Sequence, residues 1–193
     1  MSFIDPKAKE INCKVVYYGP PFAGKSTNLH QLLAKTAGSS ARNLVTLREG
    51  EDHTLFFDFL PLSLGSVKGY KIRLHLYTLP GSPQFESSRK LILKGVDGVV
   101  FVADSRLEKL EGNLECWRHL QTSLAENDCD LQTIPLTFQC NKRDLKGVAP
   151  VSDVAHLLDG RDAPIIEAVA IKGLGVMETL NSVAKQVLKG LKT

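Results

Sequence analysis

The sequence predicts an α/β fold, a mainly parallel sheet with helices on both faces and one antiparallel hairpin strand at its edge. Segments with strand patterns alternate with segments with helical patterns along the 193 residues. Such alternation favours right-handed crossovers between parallel strands. In addition, Gly98–Asp104 is apolar up to its last residue, which is typical of a strand covered by helices on both faces.

The start of the chain predicts a strand, a turn and a helix in direct succession. Residues 13–18 are mostly β-branched and aromatic, and residues 19–26 are rich in glycine and proline, which indicates a strand that runs into a loop. In residues 27–36, three leucines fall on one helical face, as in an amphipathic helix. A short strand is expected at residues 43–47.

The next part predicts an antiparallel hairpin. Residues 54–62 are strongly apolar, but Pro61 cannot donate to a ladder, so we expect this segment at the sheet edge or in a loop along it. Residues 65–69 begin and end with glycine and predict a turn. Tyr70–Thr78 alternates apolar and polar residues, and we expect a half-buried strand there.

The second half of the chain continues the alternation. Helices are predicted where apolar residues recur at spacings of three and four, and strands where short apolar runs lie between turn residues. We expect Ser152 to cap a helix that runs to Leu158, because serine is favoured at N-caps. The other predicted elements are helices at 84–94, 107–124 and 176–191 and strands at 134–140 and 164–166.

Composition bounds the number of domains and the class of ligand. The 193 residues, 43% hydrophobic and 23% charged, fit one domain with a full core, and we expect a single domain over residues 1–193. The net charge is only +3, and lysines and arginines are spread along the chain, so no nucleic-acid surface is predicted. We expect a monomer that binds a small anionic ligand.

The cysteines and the chain ends bear on the compartment. The four cysteines form no C-x₂-C pair, and reduced thiols in a cytosol are the simplest interpretation. No apolar run reaches the length of a bilayer span, no signal peptide or prenylation cysteine is visible, and Ser2 excludes N-myristoylation. We therefore expect a cytoplasmic protein with no direct membrane anchor.

One motif predicts nucleotide binding. The phosphate-binding pattern G-x-x-x-x-G-K-[ST] is matched by Gly19-Pro20-Pro21-Phe22-Ala23-Gly24-Lys25-Ser26. The backbone N–H groups of this loop and of the first helical turn, which includes Thr27, would point at phosphate oxygens, and the helix dipole would add favourable potential. Lys25 would reach the β- and γ-phosphates, and Ser26 would ligate Mg²⁺. The sequence thus predicts a P-loop NTPase.

A second motif indicates the base. Asn141, Lys142, Arg143 and Asp144 form an N-K-x-D sequence directly after a predicted strand, so they project over the same sheet edge as the P-loop. Asp144 can accept hydrogen bonds from N1–H and from the 2-amino group of guanine, a donor pair that adenine lacks. Asn141 can brace the loop and contact N7, and the Lys142 stem can cover the ring.

A third segment lies after the last predicted strand, at Glu167-Ala168-Val169-Ala170. The backbone N–H groups of Ala168 and Val169 are candidates for binding the guanine O6. In this order behind a P-loop, the motifs predict a G domain, with GTP or GDP as the ligand.

Several longer segments carry a family resemblance. They are NCKVVYYGP at 12–20, TLFFDFLP at 54–61, HLYTLPG at 75–81, SRKLILKGVDGVVFVADS at 88–105 and NKRDL at 141–145. With them the chain resembles the MglA family of bacterial Ras-like small GTPases, which control cell polarity and surface motility. The resemblance covers nearly the whole chain and is looser in the long helix around Trp117 and after Lys146.

The resemblance implies ligands, roles and partners. GTP/GDP and Mg²⁺ are implied as cofactors, with Thr54 as the switch threonine on Mg²⁺ and Gly81 as the γ-phosphate sensor. Most Ras-like proteins have a switch aspartate where this family has threonine, and Thr78 matches that threonine. A roadblock-type activating protein and response-regulator-like polarity effectors are implied as partners that dock on the switch surface. They would act in a bacterial cytoplasm and recruit the protein to a cell pole.

Three positions depart from the family's pattern at the hydrolytic groups. The family has arginine directly before the switch threonine and glutamine directly after the T-x-P-G glycine, whereas this chain has His53 and Ser82. Pro21 stands at the P-loop position that faces the γ-phosphate and is usually glycine, and proline lacks an N–H and fixes φ. Serine is too short to bridge water and phosphate, and neutral histidine offers no charged fork. We therefore expect GTP to be bound well and hydrolysed very slowly.

Alternatives stay open. Gln84 could replace the missing glutamine, and His53 could be a charged donor if Glu51 or Asp52 kept it protonated. Three function classes follow. The first is a GTP-dependent switch that recruits effectors and hydrolyses GTP weakly, and the second is a cycling GTPase that takes catalytic groups from Gln84 or from a partner. An ATP-using P-loop kinase is the third, disfavoured because N-K-R-D specifies guanine.

Overall fold

The structure is a computed structural model that describes residues 3–36, 44–47, 57–79, 86–158 and 162–191. Its strands all belong to one eight-stranded sheet. In chain order they are β1 Phe3–Asp5, β2 Glu10–Tyr18, β3 Val45–Leu47, β4 Phe57–Val67, β5 Tyr70–Thr78, β6 Gly98–Asp104, β7 Leu136–Asn141 and β8 Ile165–Glu167. The helices are α1 Lys25–Thr36, α2 Glu86–Leu93, α3 Leu110–Ala125, α4 Val151–Leu157 and α5 Val176–Gly190, with 3₁₀ turns at Leu107–Lys109 and Ala170–Lys172.

The sheet is parallel in its centre and antiparallel at one side. Its strand order is β3-β4-β5-β2-β6-β7-β8, and β1 pairs with β2 outside this path. The pairs β2–β5, β2–β6, β6–β7 and β7–β8 are parallel, whereas β1–β2, β3–β4 and β4–β5 are antiparallel. The predicted α/β class with a mainly parallel sheet is confirmed, and its antiparallel part is larger than the single hairpin strand that we predicted.

Strand β4 does not lie at the edge that Pro61 predicts. Strand β3 pairs with β4 on its outer side, from Leu47 opposite Phe57 to Val45 opposite Phe59. Pro61 lies beyond this pairing, so its missing N–H interrupts no bond to β3. The register shifts between Ser63 and Ser66, and the strand continues to Val67, so only Lys68 and Gly69 of the segment predicted as a turn form one.

Helices cover both faces of the sheet, as predicted. On one face, side chains of α1 and α5 such as Leu29, Leu32 and Leu180 pack against the central strands. On the other face, Phe101, Trp117 and Phe138 pack edge to face, with ring centroids between 5.1 and 6.0 Å apart. Strand β6 is buried along its whole length between these layers. Among the described residues, no helix is long and apolar enough to cross a bilayer.

One predicted helix start is wrong. Helix α4 begins at Val151, with Pro150 at the N-cap, so Ser152 lies in the first turn. The Pro150 carbonyl already accepts the N–H groups of Asp153 and Val154, at 3.1 and 3.3 Å. The helix therefore starts before the serine, whose hydroxyl instead bonds the Asp153 carboxylate at 3.2 Å.

Candidate nucleotide-binding site

The ends of four parallel strands bring the predicted motifs together. Strands β2, β6, β7 and β8 end at Tyr18, Asp104, Asn141 and Glu167. Because they run in one direction, these ends lie along one edge of the sheet, where open α/β sheets bind their ligands. The P-loop follows β2, the N-K-x-D sequence begins at the end of β7, and the 168–174 segment follows β8.

Two glycines of the P-loop are fixed by close contacts. Gly19 has a φ of +145° and Gly24 a φ of +104°, and residues other than glycine rarely adopt such backbone angles. A Cβ on Gly19 would lie 2.2 Å from the carbonyl oxygen of Val102, and one on Gly24 would lie 2.2 Å from Asn141 Nδ2. The loop can therefore pass this close to β6 and to Asn141 only because it carries glycine.

Lys25 is only 7% exposed. Its Nζ donates to the carbonyl oxygens of Gly19 and Pro20, at 2.8 and 2.7 Å. The pKa of Lys25 is lowered from 10.5 to about 8, mainly by burial; Cys116 opposes this shift and Arg89 adds to it. A phosphate would provide the negative charge that a buried ammonium group needs, so this loop fits a phosphate ligand.

Asn141 links the P-loop to the segment that follows β8. Its Nδ2 donates to the Ala23 carbonyl oxygen at 2.7 Å, and its Oδ1 accepts the Ala170 N–H at 2.8 Å. The side chain is buried, at 3% exposure. Asn141 thus braces the loop, and the phosphate-binding segment is held directly against the segments expected to bind the base.

Lys142 is held in a fixed direction by Asp104. Its Nζ lies 2.7 Å from Asp104 Oδ2, and Arg106 donates to both oxygens of the same carboxylate, at 3.1 and 2.8 Å. Burial alone would raise the pKa of Asp104, but hydrogen bonds from Arg106 and Lys142 outweigh it, and the pKa is lowered. Asn113 of α3 holds the Asp104 backbone by two further bonds. A lysine stem anchored in this way suits a side chain that covers a planar base.

Asp144 faces a lysine that the sequence analysis did not single out. Lys172 Nζ lies 3.2 Å from Asp144 Oδ2. A carboxylate has two oxygens and about four acceptor positions, so this one contact leaves capacity for the N1–H and 2-amino group of guanine. Lys172 belongs to no motif, and its position just after the last predicted strand is the only signal that could have indicated it.

The predicted role of Ala168 and Val169 does not hold. Their N–H groups donate to the carbonyl oxygens of Cys140 and Leu174, at 2.8 and 3.1 Å. The first bond extends the pairing of β7 with β8, and the second belongs to a bridge between Val169 and Leu174. A backbone N–H already bonded inside the protein is not available to the guanine O6.

The residues predicted for Mg²⁺ and hydrolysis are only partly described. Ser26 is exposed and Thr27 is half-buried at the start of α1, and Pro21 is exposed on the loop. An exposed serine hydroxyl is oxygen chemistry that Mg²⁺ accepts. The other predicted residues lie outside the described residues and are His53, Thr54, Gly81, Ser82 and Gln84.

Thr78, at the position of the usual switch aspartate, contacts a buried carboxylate. Its hydroxyl accepts the Asp58 N–H at 2.9 Å and donates to Asp58 Oδ2 at 3.1 Å. Thr78 is 3% exposed and Asp58 is 7% exposed. The end of β5, which leads towards the predicted γ-phosphate sensor, is thus joined to β4 by a side-chain pair that the sequence analysis missed.

Comparisons with known proteins identify the family. No protein-family model matches the chain. The chain is 53% identical over 192 residues to the mutual gliding-motility protein MglA of Myxococcus xanthus, and this alignment covers 100% of the present chain and 98% of the MglA chain. It is 29% identical over 144 residues to human ADP-ribosylation factor-like protein 4C, in an alignment that covers 69% of this chain and 70% of the human protein. It is 24% identical over 189 residues to the Ras-related protein Rab7 of Pisum sativum, in an alignment that covers 95% of this chain and 86% of Rab7. The chain therefore belongs to the MglA family of Ras-like small GTPases.

Proposed function

We propose that this chain is a guanine-nucleotide switch that recruits effectors in its GTP state to control cell polarity and gliding motility, and that it hydrolyses GTP only weakly. The observation that carries the nucleotide part is the Asn141 brace. One side chain bonds both the P-loop carbonyl of Ala23 and the backbone of Ala170. The link to motility rests on the gliding-motility name of the Myxococcus xanthus relative.

The residues divide into two groups by the part of the ligand they would bind. Lys25 and Ser26 would hold the phosphates and Mg²⁺, which supplies charge neutralisation between the β- and γ-phosphates when bound. Thr54 would complete the metal site in the GTP state. Asp144 would read the two guanine donors, with Lys142 over the ring. Since the brace joins these groups, the phosphates and the base would be bound in one fixed relation.

Weak hydrolysis is supported by Pro21 together with two sequence positions. Pro21 is exposed on the P-loop, and it provides no N–H beside the attacking water. His53 and Ser82 stand where the family pattern has arginine and glutamine. An arginine finger contributes about 10³- to 10⁵-fold to the rate in related enzymes, so its replacement by histidine would leave a large deficit.

The first experiment identifies the nucleotide. The purified protein would be denatured and its released nucleotide separated by chromatography. A predominance of GTP supports the slow switch, and GDP supports the cycling GTPase that takes groups from Gln84 or a partner. ATP or ADP would contradict guanine binding altogether.

The second experiment measures single-turnover GTP hydrolysis with and without a roadblock-type activating protein from the same cells. We expect a very slow reaction in both cases. The variant Pro21→Gly/His53→Arg/Ser82→Gln restores the family groups and is expected to hydrolyse GTP much faster. Gln84→Ala in the wild-type background is the matched control, because it slows hydrolysis only if Gln84 is the substitute. A robust partner-stimulated rate in the wild type would refute weak hydrolysis.

The proposed partners and location are testable in the same system. A roadblock-type activating protein and response-regulator-like effectors are expected to bind the GTP-loaded protein more tightly than the GDP-loaded one. The protein is proposed to be cytoplasmic and monomeric and to reach a cell pole through these partners. Equal affinity for the two loaded forms would contradict a switch.

A further inference from the structure

Strand β7 carries a polar stripe inside the protein. All of its residues from Leu136 to Asn141 are buried, yet every second one is polar. Leu136, Phe138 and Cys140 face the apolar core on the α3 side. Thr137, Gln139 and Asn141 face the opposite side, and Thr137 and Gln139 are 0% exposed. Buried polar side chains of this kind are tolerated only when they are hydrogen-bonded.

The middle residue of this stripe is the centre of a closed network. Gln139 and Asn28 of α1 exchange two hydrogen bonds, at 2.8 and 2.9 Å. The second N–H of Gln139 donates to Thr179 Oγ1 of α5 at 2.8 Å. The second N–H of Asn28 donates to the Gly24 carbonyl oxygen at 2.9 Å, and the Thr179 hydroxyl donates to the Gly175 carbonyl oxygen at 2.6 Å. Every side-chain donor of the three residues therefore has an acceptor.

The network ends at the P-loop and at the segment after β8. Asn141 joins the same two segments by its own hydrogen bonds. Gly24 belongs to the P-loop, and a Cβ there would collide with Asn141 Nδ2. Gly175 closes the segment after β8, whose Ala170 N–H bonds Asn141 Oδ1. Gln139 and Asn141 lie two residues apart on the same face of β7. The P-loop and the 168–175 segment are thus held together in two successive tiers.

We propose that Asn28, Gln139 and Thr179 are positioning residues that couple the phosphate-binding loop to the 168–175 segment, whose Lys172 contacts Asp144, the residue proposed to bind guanine. None of the three belongs to a nucleotide-binding motif. They act through Gly24 and Gly175, and they set the distance and angle at which the two halves of the ligand are bound. The inference rests on the proposed guanine-nucleotide binding and adds residues that determine how tightly and how selectively the site binds.

The test variant is Asn28→Leu/Gln139→Met. It removes the amide pair with little change of volume. The Thr179 hydroxyl keeps the Gly175 carbonyl oxygen, and the Gly24 carbonyl oxygen keeps the backbone N–H of residue 28. No buried donor loses its acceptor, so the variant is expected to fold, since replacing both partners of a buried bond by apolar groups can be nearly neutral.

The matched control is Thr137→Val/Ser182→Ala. It removes the 3.0 Å bond between these hydroxyls and the bond that Gln186 donates to Thr137 Oγ1, while Gln186 keeps its bond to the Leu136 carbonyl oxygen. Thr137 lies on the same strand and face as Gln139, and Ser182 lies on the same helix as Thr179. Within the described residues, the hydrogen bonds of these two hydroxyls run to each other and to Gln186, and not to the P-loop or the 168–175 segment. A general loosening of α5 against β7 would therefore affect the control as much as the test variant.

Two measurements decide the proposal. The first is the dissociation rate of fluorescently labelled GDP, which we expect to rise about tenfold in the test variant, the change that one net hydrogen bond supplies, and to stay near the wild-type rate in the control. The second is the preference for GDP over inosine diphosphate, which lacks the 2-amino group. That preference is expected to fall in the test variant, although neither replaced residue reaches the base. The exchanged pair Asn28→Gln/Gln139→Asn is expected to recover part of both values.

Other results would overturn it. A folded test variant with wild-type dissociation and base preference would refute the coupling, and so would a control with the same defect. If the test variant does not fold, exchange of the Asn28 and Gln139 side-chain amides in the wild type is followed by nuclear magnetic resonance. Slower exchange with GDP bound supports the coupling, and unchanged exchange contradicts it. A wild type that binds no GDP would instead refute the proposed function.

Discussion

The lowered pKa of Lys25 makes nucleotide affinity sensitive to pH. Burial brings this pKa from 10.5 to about 8 in the protein without nucleotide. A bound phosphate favours the charged amine, so the pKa is higher in the complex. Binding therefore takes up a proton once the pH exceeds about 8. The affinity is fully present below that pH and is lost as the pH rises through it.

The magnitude follows from the fraction of charged lysine. With a pKa of about 8, Lys25 is about 90% protonated at pH 7 and about 10% protonated at pH 9, so the dissociation constant for GDP is expected to rise about tenfold over this interval. Isothermal titration calorimetry at constant ionic strength measures this dissociation constant. The titrations stop at pH 9 because the guanine N1–H ionises at higher pH. A flat profile would refute the assignment.

A charge-fixed variant serves as the control. Lys25→Arg keeps its charge at every pH of the range, so weaker but pH-independent binding is expected. The stability of the nucleotide-free protein should rise with pH, whereas the affinity of the wild type for GDP falls. Between pH 8 and 9 the unfolded chain holds more protons on this lysine than the folded one, so the free energy of unfolding rises with pH. A Lys25→Arg variant with the wild-type pH dependence would assign the effect to another group.

Three further substitutions test individual contacts. Gly24→Ala is expected to weaken GDP binding at least about tenfold in a fluorescence titration, because its Cβ would meet Asn141 Nδ2 at 2.2 Å and break the brace; wild-type affinity would contradict this. Thr78→Val removes both buried bonds to Asp58 and should lower the free energy of unfolding by about 1–3 kcal/mol in a denaturant titration, whereas an unchanged midpoint would show that the pair is not needed. Asp144→Asn replaces a pure acceptor by an amide, so we expect the affinity ratio of GDP to xanthosine diphosphate to fall, and a constant ratio would remove Asp144 from base recognition.

Local patterns predicted the parts of the fold that depend on local causes. The apolar run of β6 and the alternation of Tyr70–Thr78 gave strands with the predicted bounds, because burial on both faces or on one face leaves a direct trace in the sequence. The P-loop was placed between a strand and a helix for the same reason. Strand β1, three residues long, was not predicted. The outer position of β3 was not predicted, because its pairing with β4 is a tertiary contact that the local pattern of residues 43–47 does not encode.

Strand β7 shows why the site itself was only partly predictable. The strict alternation of its residues would ordinarily indicate a strand with one face in water, yet both faces are buried. The polar residues are stabilised by partners as distant as 111 positions in the chain, as Gln139 is by Asn28. No local pattern carries that information. The motifs therefore predicted which residues meet the ligand, but not those that hold the motifs together. The same holds for Asp104 with Lys142, which follows β7, and for Asp58 with Thr78 of β5, where the partner of a buried charged residue comes from another part of the chain. In this fold, buried polar residues between the motifs are where further determinants of binding should be sought.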